Sequence, residues 1–183
     1  KPFVHDTLLS SQSRTGQEAK QSTQYFDGLG RPLQIVAKGI SPNGFDMVSP
    51  LLYDAFGREA IKYLPFVSVS SNGDFKTDPF TEQDNFMKGM YNPTNDVNGE
   101  KYFYGLTNYE PAPLNRISNS YSQGNNWVGD GIGVGMQYTV NDIYDSVRIW
   151  NISFTGGAMP TSTFSYGAGL LYETVNTDEQ GNK

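Results

Sequence analysis

The sequence contains no cysteine, which excludes a disulfide framework, a thiol nucleophile and any metal site built on thiolates. It also has no apolar run long enough for a transmembrane helix. Basic residues are scarce, with 13 Lys and Arg against 19 Asp and Glu, and they form no cluster along the sequence. This charge balance argues against a protein that binds nucleic acid.

Residues that favour turns and pleated surfaces are abundant. Among the 183 residues there are 12 Tyr, 11 Phe, 20 Gly and 10 Pro. Tyr and Phe favour half-buried strands, and Gly and Pro favour the turns between them. The composition predicts a mainly β fold of antiparallel strands and hairpins with one or two short helices. We expect an N-terminal strand or arm at 1–24 and one β-rich domain at 25–183.

Alternation of apolar and polar residues predicts the strands. They are expected at 3–9, 32–37, 47–53, 59–64, 101–106, 135–140, 145–154 and 170–175. Within 145–154, Trp150 is expected on the face opposite to Val147 and Ile149. A single helical turn is expected at 113–117.

One helix is marked by signals at both ends. Asp78 is suited to cap the first turn, and Pro79 suits the first helical position. Asn92 followed by Pro93 predicts the end of the helix. The apolar residues expected to share its buried face are Phe80, Phe86, Met87, Met90 and Tyr91.

Two short blocks repeat each other at a displacement of 27 residues. The block at 25–31 reads Tyr-Phe-Asp-Gly-Leu-Gly-Arg, and the block at 53–58 reads Tyr-Asp-Ala-Phe-Gly-Arg. A degenerate third copy is expected at 177–183. Periods of roughly 20–50 residues are typical of repeat architectures.

The repeated residues have the chemistry of a hairpin turn. An Asp carboxylate can accept a backbone N–H two positions on, and a Gly three positions later readily adopts a positive φ. The aromatic residue before Asp and the Arg after Gly are expected to leave on paired strands and to stack as neighbours. The residues to which we assign a structural role in the turns are Asp27, Gly30, Arg31, Asp54, Gly57 and Arg58.

The two blocks resemble the Tyr-Asp signature of Rhs or YD repeats. Further segments resemble the uncharacterised domain that precedes these repeats in many Rhs-type proteins of Bacteroidota. The similar segments are 27–34, 41–44, 53–65, 113–116, 127–129, 145–150 and 171–181. A complete Rhs shell needs many repeats, so the resemblance implies a piece of a larger protein.

The resemblance also implies a fold and a role. Rhs and YD repeats form a long β-sheet spiral that closes into a hollow shell, often around a C-terminal toxin. This domain would then be a non-catalytic structural module that starts or caps the shell, and its main partner would be the remainder of the same polypeptide, joined by sheet extension. Export to the cell surface or medium, commonly by the type 9 secretion system, is implied as well. Components of that system and surface glycans are further expected partners.

Several residues could carry chemistry, but each has a simpler structural interpretation. His5 beside Asp6 could orient a general base, yet no nucleophile is signalled nearby, and a surface histidine is preferred. Asp142 and Asp145 could serve glycoside hydrolysis, but they flank a turn before a strand. The glycines of 129–135 precede a strand and not a helix, so a loop or edge strand is preferred to a phosphate site.

Two further patterns suggest ligands only weakly. The loop at 92–98 holds a single carboxylate and does not match a calcium-binding loop. Trp127 and Trp150 could form a sugar-stacking platform, although aromatic residues more often fill the core of a sheet. We therefore expect no enzyme, no cofactor and no metal. The alternative to the structural module is a carbohydrate-binding or cell-surface adhesion module, and a hydrolase with carboxylate catalysis ranks third.

Overall fold

A computed structural model describes residues 20–154 and 156–183. This part of the chain folds into two antiparallel sheets, a separate two-stranded hairpin, one α-helix and one π-helical turn. The mainly β, antiparallel fold that the composition predicts is confirmed. The strand predicted at 3–9 and the pair of His5 and Asp6 lie outside the described residues.

The elements follow one another along the chain with short connections. In order they are β1 (Gln21–Phe26), β2 (Pro32–Lys38), β3 (Met47–Pro50), β4 (Ile61–Tyr63), β5 (Phe66–Val67), α1 (Pro79–Tyr91), β6 (Tyr104–Tyr109), β7 (Ile117–Tyr121), a π-helical turn (Asn125–Gly129), β8 (Val134–Val140), β9 (Arg148–Asn151), β10 (Thr161–Ser165) and β11 (Tyr172–Thr177). The first sheet has the order β1-β2-β3-β5, and the second sheet has the order β11-β8-β7-β6-β4. Strand β1 crosses the expected boundary between residues 24 and 25.

The buried core lies between the first sheet and α1. Val36 on β2 stands opposite Val48 on β3, and neither side chain is exposed to solvent. Phe66, Met87 and Phe103 complete this apolar cluster. Burial of these side chains away from water is the main force that holds α1 against the sheet.

A buried ion pair fixes the loop after β5 to the first sheet. The Lys76 ammonium lies 2.8 Å from the Asp46 carboxylate and also donates to Ser70 Oγ and Asn72 Oδ1. Asp46 Oδ2 further accepts the backbone N–H of Gly73. Burial raises the pKa of Asp46, but the bonds from Lys76 and from backbone N–H groups outweigh it and hold the pKa below the ordinary 3.8.

Helix α1 begins and ends where the sequence predicts. Asp78 is the N-cap, and its side chain accepts a hydrogen bond from the backbone N–H of Thr81. The predicted buried face is wrong for Met90 and Tyr91, which are 55% and 59% exposed. The buried stripe instead contains the polar Gln83, whose side-chain amide donates to the Phe103 carbonyl at 3.0 Å.

Strand β6 begins later than the predicted 101–106. Glu100 Oε1 accepts the backbone N–H groups of both Lys101 and Tyr102 at 3.0 Å. These two N–H groups are therefore occupied by a side chain, and the strand starts at Tyr104. A local side-chain bond of this kind competes with the strand ladder.

The helical turn predicted at 113–117 is wrong. The segment is a loop that joins β6 to β7, and Asn115 takes a left-handed conformation with a φ of 52°. Pro111 and Pro113 have no backbone N–H to donate, and strand β7 already begins at Ile117.

An excursion between β8 and β11, residues 142–170, forms what we call the aromatic arm. Its strands β9 and β10 pair only with each other within the described residues. Asn141 closes the base of the arm, because its side chain donates to the Gly167 carbonyl and accepts the Leu171 N–H. The expectation that aromatic residues fill the sheet core is wrong for Trp150, which is 61% exposed on a hairpin whose two strands pair only with each other among the described residues.

Candidate functional site: the acid–arginine turns

The first repeat block forms a closed turn between β1 and β2. Asp27 Oδ1 accepts the backbone N–H groups of Leu29 and Arg31 at 2.8 and 2.9 Å, and Asp27 Oδ2 accepts Arg31 Nε at 2.7 Å. Gly30 has a φ of +79°. A single carboxylate therefore fixes the backbone of the turn through Oδ1 and orients the arginine side chain through Oδ2.

The second block, between β3 and β4, has the same geometry. Asp54 Oδ1 accepts the N–H groups of Phe56 and Arg58 at 2.8 and 2.9 Å, and Asp54 Oδ2 accepts Arg58 Nε at 2.8 Å. Gly57 has a φ of +78°. The close agreement shows that the sequence repeat is a structural repeat.

Both turn carboxylates are held in the ionised form. The backbone N–H of Arg31 is the largest cause that lowers the pKa of Asp27 below 3.8, and burial opposes it. The backbone N–H of Arg58 is likewise the largest cause that lowers the pKa of Asp54. A carboxylate that accepts several N–H groups is a poor proton donor at neutral pH, so these pKa shifts suit a structural role better than acid–base chemistry.

The degenerate third block also forms a turn, directly after β11. Asp178 Oδ1 accepts the N–H groups of Gln180 and Asn182 at 2.9 and 2.8 Å. The side-chain amide of Asn182 donates to Asp178 Oδ2 at 2.8 Å and so takes the position of the arginine Nε. This bond from Asn182 is the largest cause that lowers the pKa of Asp178.

A further turn with an acid–arginine pair joins β6 to β7 and is not among the turns that the sequence repeat predicts. The N–H of Glu110 donates to the Arg116 carbonyl at 2.9 Å, and Arg116 Nε donates to Glu110 Oε2 at 2.6 Å. Its loop is longer, and Glu replaces Asp. The signal that could have found it is an acid directly after a tyrosine, Tyr109, with an arginine at the start of the next strand.

Each of the three arginines stacks on a tyrosine of the neighbouring strand. The guanidinium carbon lies 4.7 Å from the ring centre for Arg31 on Tyr53, 4.3 Å for Arg58 on Tyr109 and 4.6 Å for Arg116 on Tyr138. The spacing of the repeat predicts instead that each arginine stacks on the aromatic residue that precedes its own aspartate. That expectation is wrong. Arg31, Arg58 and Arg116 each precede or begin a strand, and each stacks on a tyrosine of the next strand in the sheet or directly after it.

Strand register explains the three stacks. Gln34 stands opposite Pro50, and three residues further along this register Arg31 comes opposite Tyr53. The same three-residue step from the pair of Ile61 and Leu106 leads to Arg58 and Tyr109. From the pair of Asn119 and Gly135 it leads to Arg116 and Tyr138. The stacks are thus cross-strand pairs that extend the sheets beyond their last regular hydrogen bonds.

The remaining candidate residues have structural contacts. Asp142 Oδ1 accepts the backbone N–H groups of Tyr144 and Asp145, and Asp145 Oδ2 accepts the N–H of Asp142, so this acidic pair closes a turn. Asn92 binds the backbone of Asp96 through both its amide oxygen and its amide nitrogen. The glycines of 129–135 lead into β8, which is an inner strand of the second sheet and not an edge.

The surface of the described part of the chain was compared with three kinds of ligand-related feature: a depression, a cluster of metal ligands and a membrane-spanning helix. A shallow, open depression of about 410 Å³ lies beside the third stack and is lined by Arg116, Tyr138 and Glu173 among others. Among the described residues no group of three acidic or histidine side chains is placed to hold a metal ion. No helix there is both long and apolar enough to span a membrane.

The comparison with protein families matches residues 4–140 to a domain of unknown function, DUF6443. The chain belongs to the DUF6443 family. The matched range contains all three arginine stacks of this DUF6443 domain and ends with β8, so the aromatic arm and β11 lie beyond it. No curated protein and no solved structure matches the chain.

Proposed function

We propose that this DUF6443 domain is a non-catalytic structural module that organises antiparallel strands for a larger β-sheet assembly. The observation that carries the proposal is the set of three cross-strand Arg–Tyr stacks, each supplied by an acid–arginine turn. Both carboxylate oxygens of Asp27 and of Asp54 accept bonds from backbone N–H groups of the turn or from the arginine Nε. Such turns are suited to joining strands in a fixed register, as a repeat protein requires.

The β11 edge of the second sheet is where the assembly would continue. Strand β11 pairs with β8 on one side only within the described residues, and its Tyr172 is 99% exposed. The Asp178 turn follows β11 directly, as the Asp27 turn follows β1. A strand after the Asp178 turn would therefore fold back onto the open edge of β11.

The larger assembly would be the β shell of an exported Rhs or YD-repeat protein, in which this domain starts or caps the shell. The resemblance of the repeat blocks supports this context, and the bond pattern of Asp27 and Asp54 gives those blocks a shared structural use. The partner would be the remainder of the same polypeptide. Enclosure of a C-terminal toxin and passage through the type 9 secretion system belong to the same proposal.

Hydrogen exchange tests the sheet extension. The amides of β11 are compared in the chain of 183 residues and in the polypeptide that its natural gene encodes. We expect additional protection of β11 in the natural polypeptide, because a new strand would bond its outer N–H groups. The inner strand β8 is the matched control, since it is paired on both sides in either protein. Equal exchange of β11 in both proteins, or a gene that ends near Lys183, would refute the extension.

The aromatic arm favours a second candidate function, which is adhesion to carbohydrate. Trp150 is 61% exposed and Phe164 is 73% exposed, and exposed aromatic rings are common platforms for sugar rings. A shift of tryptophan fluorescence on addition of glycans, lost in Trp150→Ser and kept in Trp127→Phe, would support this function. Unchanged fluorescence across a glycan panel would count against it.

A further inference from the structure

The three acid–arginine turns share an exposed apolar side chain. In each turn it lies two positions before the arginine, and the residue between the two has a positive φ. The exposed fraction is 80% for Leu29, 81% for Phe56 and 66% for Leu114. We call these three residues the turn tips. Exposed apolar side chains that recur at one structural position are typical of an interaction surface.

The turn tips form a row at one end of the strands. Because the strands are antiparallel, the turns β1–β2, β3–β4 and β6–β7 all lie at the end where β8 finishes and β11 begins. The bridge between Leu52 and Ile61 keeps the second turn in line where the chain passes from one sheet to the other. Successive turns are two strand spacings apart, which is about 10 Å. The Asp178 turn lies at the opposite end, and its corresponding residue is the polar Gln180.

The aromatic arm leaves the sheet at the same end as the turn tips. It connects β8 to β11 and so takes the place of the fourth turn in the row. Its base is held by hydrogen bonds that join Asn141 to Gly167, Gly169 and Leu171. The arm does not cover the turn tips of its own chain, since all three remain exposed.

One face of the arm's hairpin is apolar. Ile149 on β9 stands opposite Phe164 on β10, and the Val147 carbonyl accepts the backbone N–H of Tyr166. Because side chains alternate between the two faces of a strand, these four residues lie on the same face and Trp150 lies on the other. Phe164 is 73% exposed at the centre of the apolar face.

We propose that the turn tips of one copy of this chain are the docking surface for the apolar face of the β9–β10 hairpin of a second copy. No residue from 149 to 172 is charged, and the charged side chains of the three turns are paired with each other. The contact therefore removes no unpaired charge from water. A twofold dimer would form it twice and bury on the order of 1,500 Å², which is the size of a standard specific interface.

The dimer is independent of the other proposals. Sheet extension would use the outer edge of β11, and the dimer does not. Adhesion to carbohydrate would use Trp150, which lies on the other face of the hairpin. Each of the three can therefore fail without the others.

Analytical ultracentrifugation of the full chain over a range of concentrations tests the proposal. We expect a monomer–dimer equilibrium with a dissociation constant on the order of tens of micromolar, because separate apolar tips do not form a continuous interface core. Phe56→Ser on the turn tips and Phe164→Ser on the arm should each weaken the dimer by at least about tenfold. Both remove exposed side chains, and circular dichroism checks that the fold is kept.

Two matched control variants remove equally exposed apolar surface elsewhere. Trp150→Ser changes the opposite face of the same hairpin. Val69→Ser removes a side chain that is 86% exposed beside β5, which pairs with the start of β3 at the other end of the strands. Both controls should leave the dissociation constant within about twofold of the wild-type value.

A mixture of Phe56→Ser and Phe164→Ser distinguishes docking of the arm on the turn tips from pairing of two arms. The mixed dimer has one contact with both partners intact, and the second substitution in the other contact costs little once that contact is lost. We therefore expect the mixed dimer to be tighter than either variant alone. A chain that stays monomeric at several times the expected dissociation constant, a dimer that Phe56→Ser leaves unchanged, or a mixture that shows no recovery would overturn the proposal.

Discussion

Replacing Gly57 with alanine tests the turn geometry and the arginine stack together. Gly57 has a φ of +78°, a region that an L-residue enters at a cost of about 1–2 kcal/mol. A Cβ at this position would also lie 3.1 Å from Arg31 Nη1. The guanidinium would have to shift by a few tenths of an ångström, which weakens a stack on Tyr53 that is worth about 0.5–1 kcal/mol. We therefore expect Gly57→Ala to destabilise the fold by about 2 kcal/mol.

Two other glycines in the first turn provide matched controls. Gly30 has a φ of +79° but no atom within 4 Å of an added Cβ, so Gly30→Ala should show the backbone cost alone. Gly28 has neither a positive φ nor a close neighbour, so Gly28→Ala should be nearly neutral. The difference between Gly57→Ala and Gly30→Ala isolates the displacement of Arg31.

Urea unfolding followed by circular dichroism measures the three variants. For a chain of this size a loss of 2 kcal/mol lowers the melting temperature by roughly 4–8 °C, so a thermal scan gives a second readout. Wild-type stability of Gly57→Ala would refute the left-handed turn. Equal losses for Gly57→Ala and Gly30→Ala would refute the contact between Gly57 and the Arg31 stack.

Three further predictions concern the buried ion pair, its pH dependence and the arm. Lys76→Met should destabilise the fold by about 3–5 kcal/mol in urea, because it leaves the fully buried Asp46 without its cation. The folded-state pKa of Asp46 is lowered, so the stability that its ionised form contributes is present above pH 3.8 and is lost as the pH falls through the folded pKa. The urea midpoint should accordingly decrease as the pH is lowered below about 5 towards the folded pKa of Asp46, and a flat profile would contradict the ion pair. Trp150→Ser should change stability by less than about 0.5 kcal/mol, since the ring is 61% exposed, and a larger loss in urea would mean that the arm is covered.

Much of the local structure could be predicted from sequence. The ends of α1 follow from Asp78, Pro79 and Asn92, which act within one helical turn of themselves. The antiparallel β class follows from composition and alternation. The ends of strands are less predictable. At the start of β6, Glu100 competes for two backbone N–H groups, and a pattern of apolar residues does not reveal this competition.

The candidate site was only half visible in the sequence. The spacing of Asp54, Gly57 and Arg58 indicates a turn, but it contains no information on the ring that the arginine contacts. The repeat pattern does not predict the turn from Glu110 to Arg116, because its loop is longer and its acid is glutamate. The first of these gaps concerns which strands become neighbours, and neighbours in a sheet are chosen by global packing.

Features that depend on residues a few positions apart follow from the sequence alone. A carboxylate can reach an N–H two to four positions away in any fold, so the turns are written locally in the chain. The tertiary structure determines which tyrosine lies under each arginine. It also explains why Gln83 is buried while Met90 is exposed, and why Trp150 is exposed on the hairpin of β9 and β10. These outcomes depend on register and layering between strands that are distant in sequence, where burial of the whole chain outweighs the preference of any one segment.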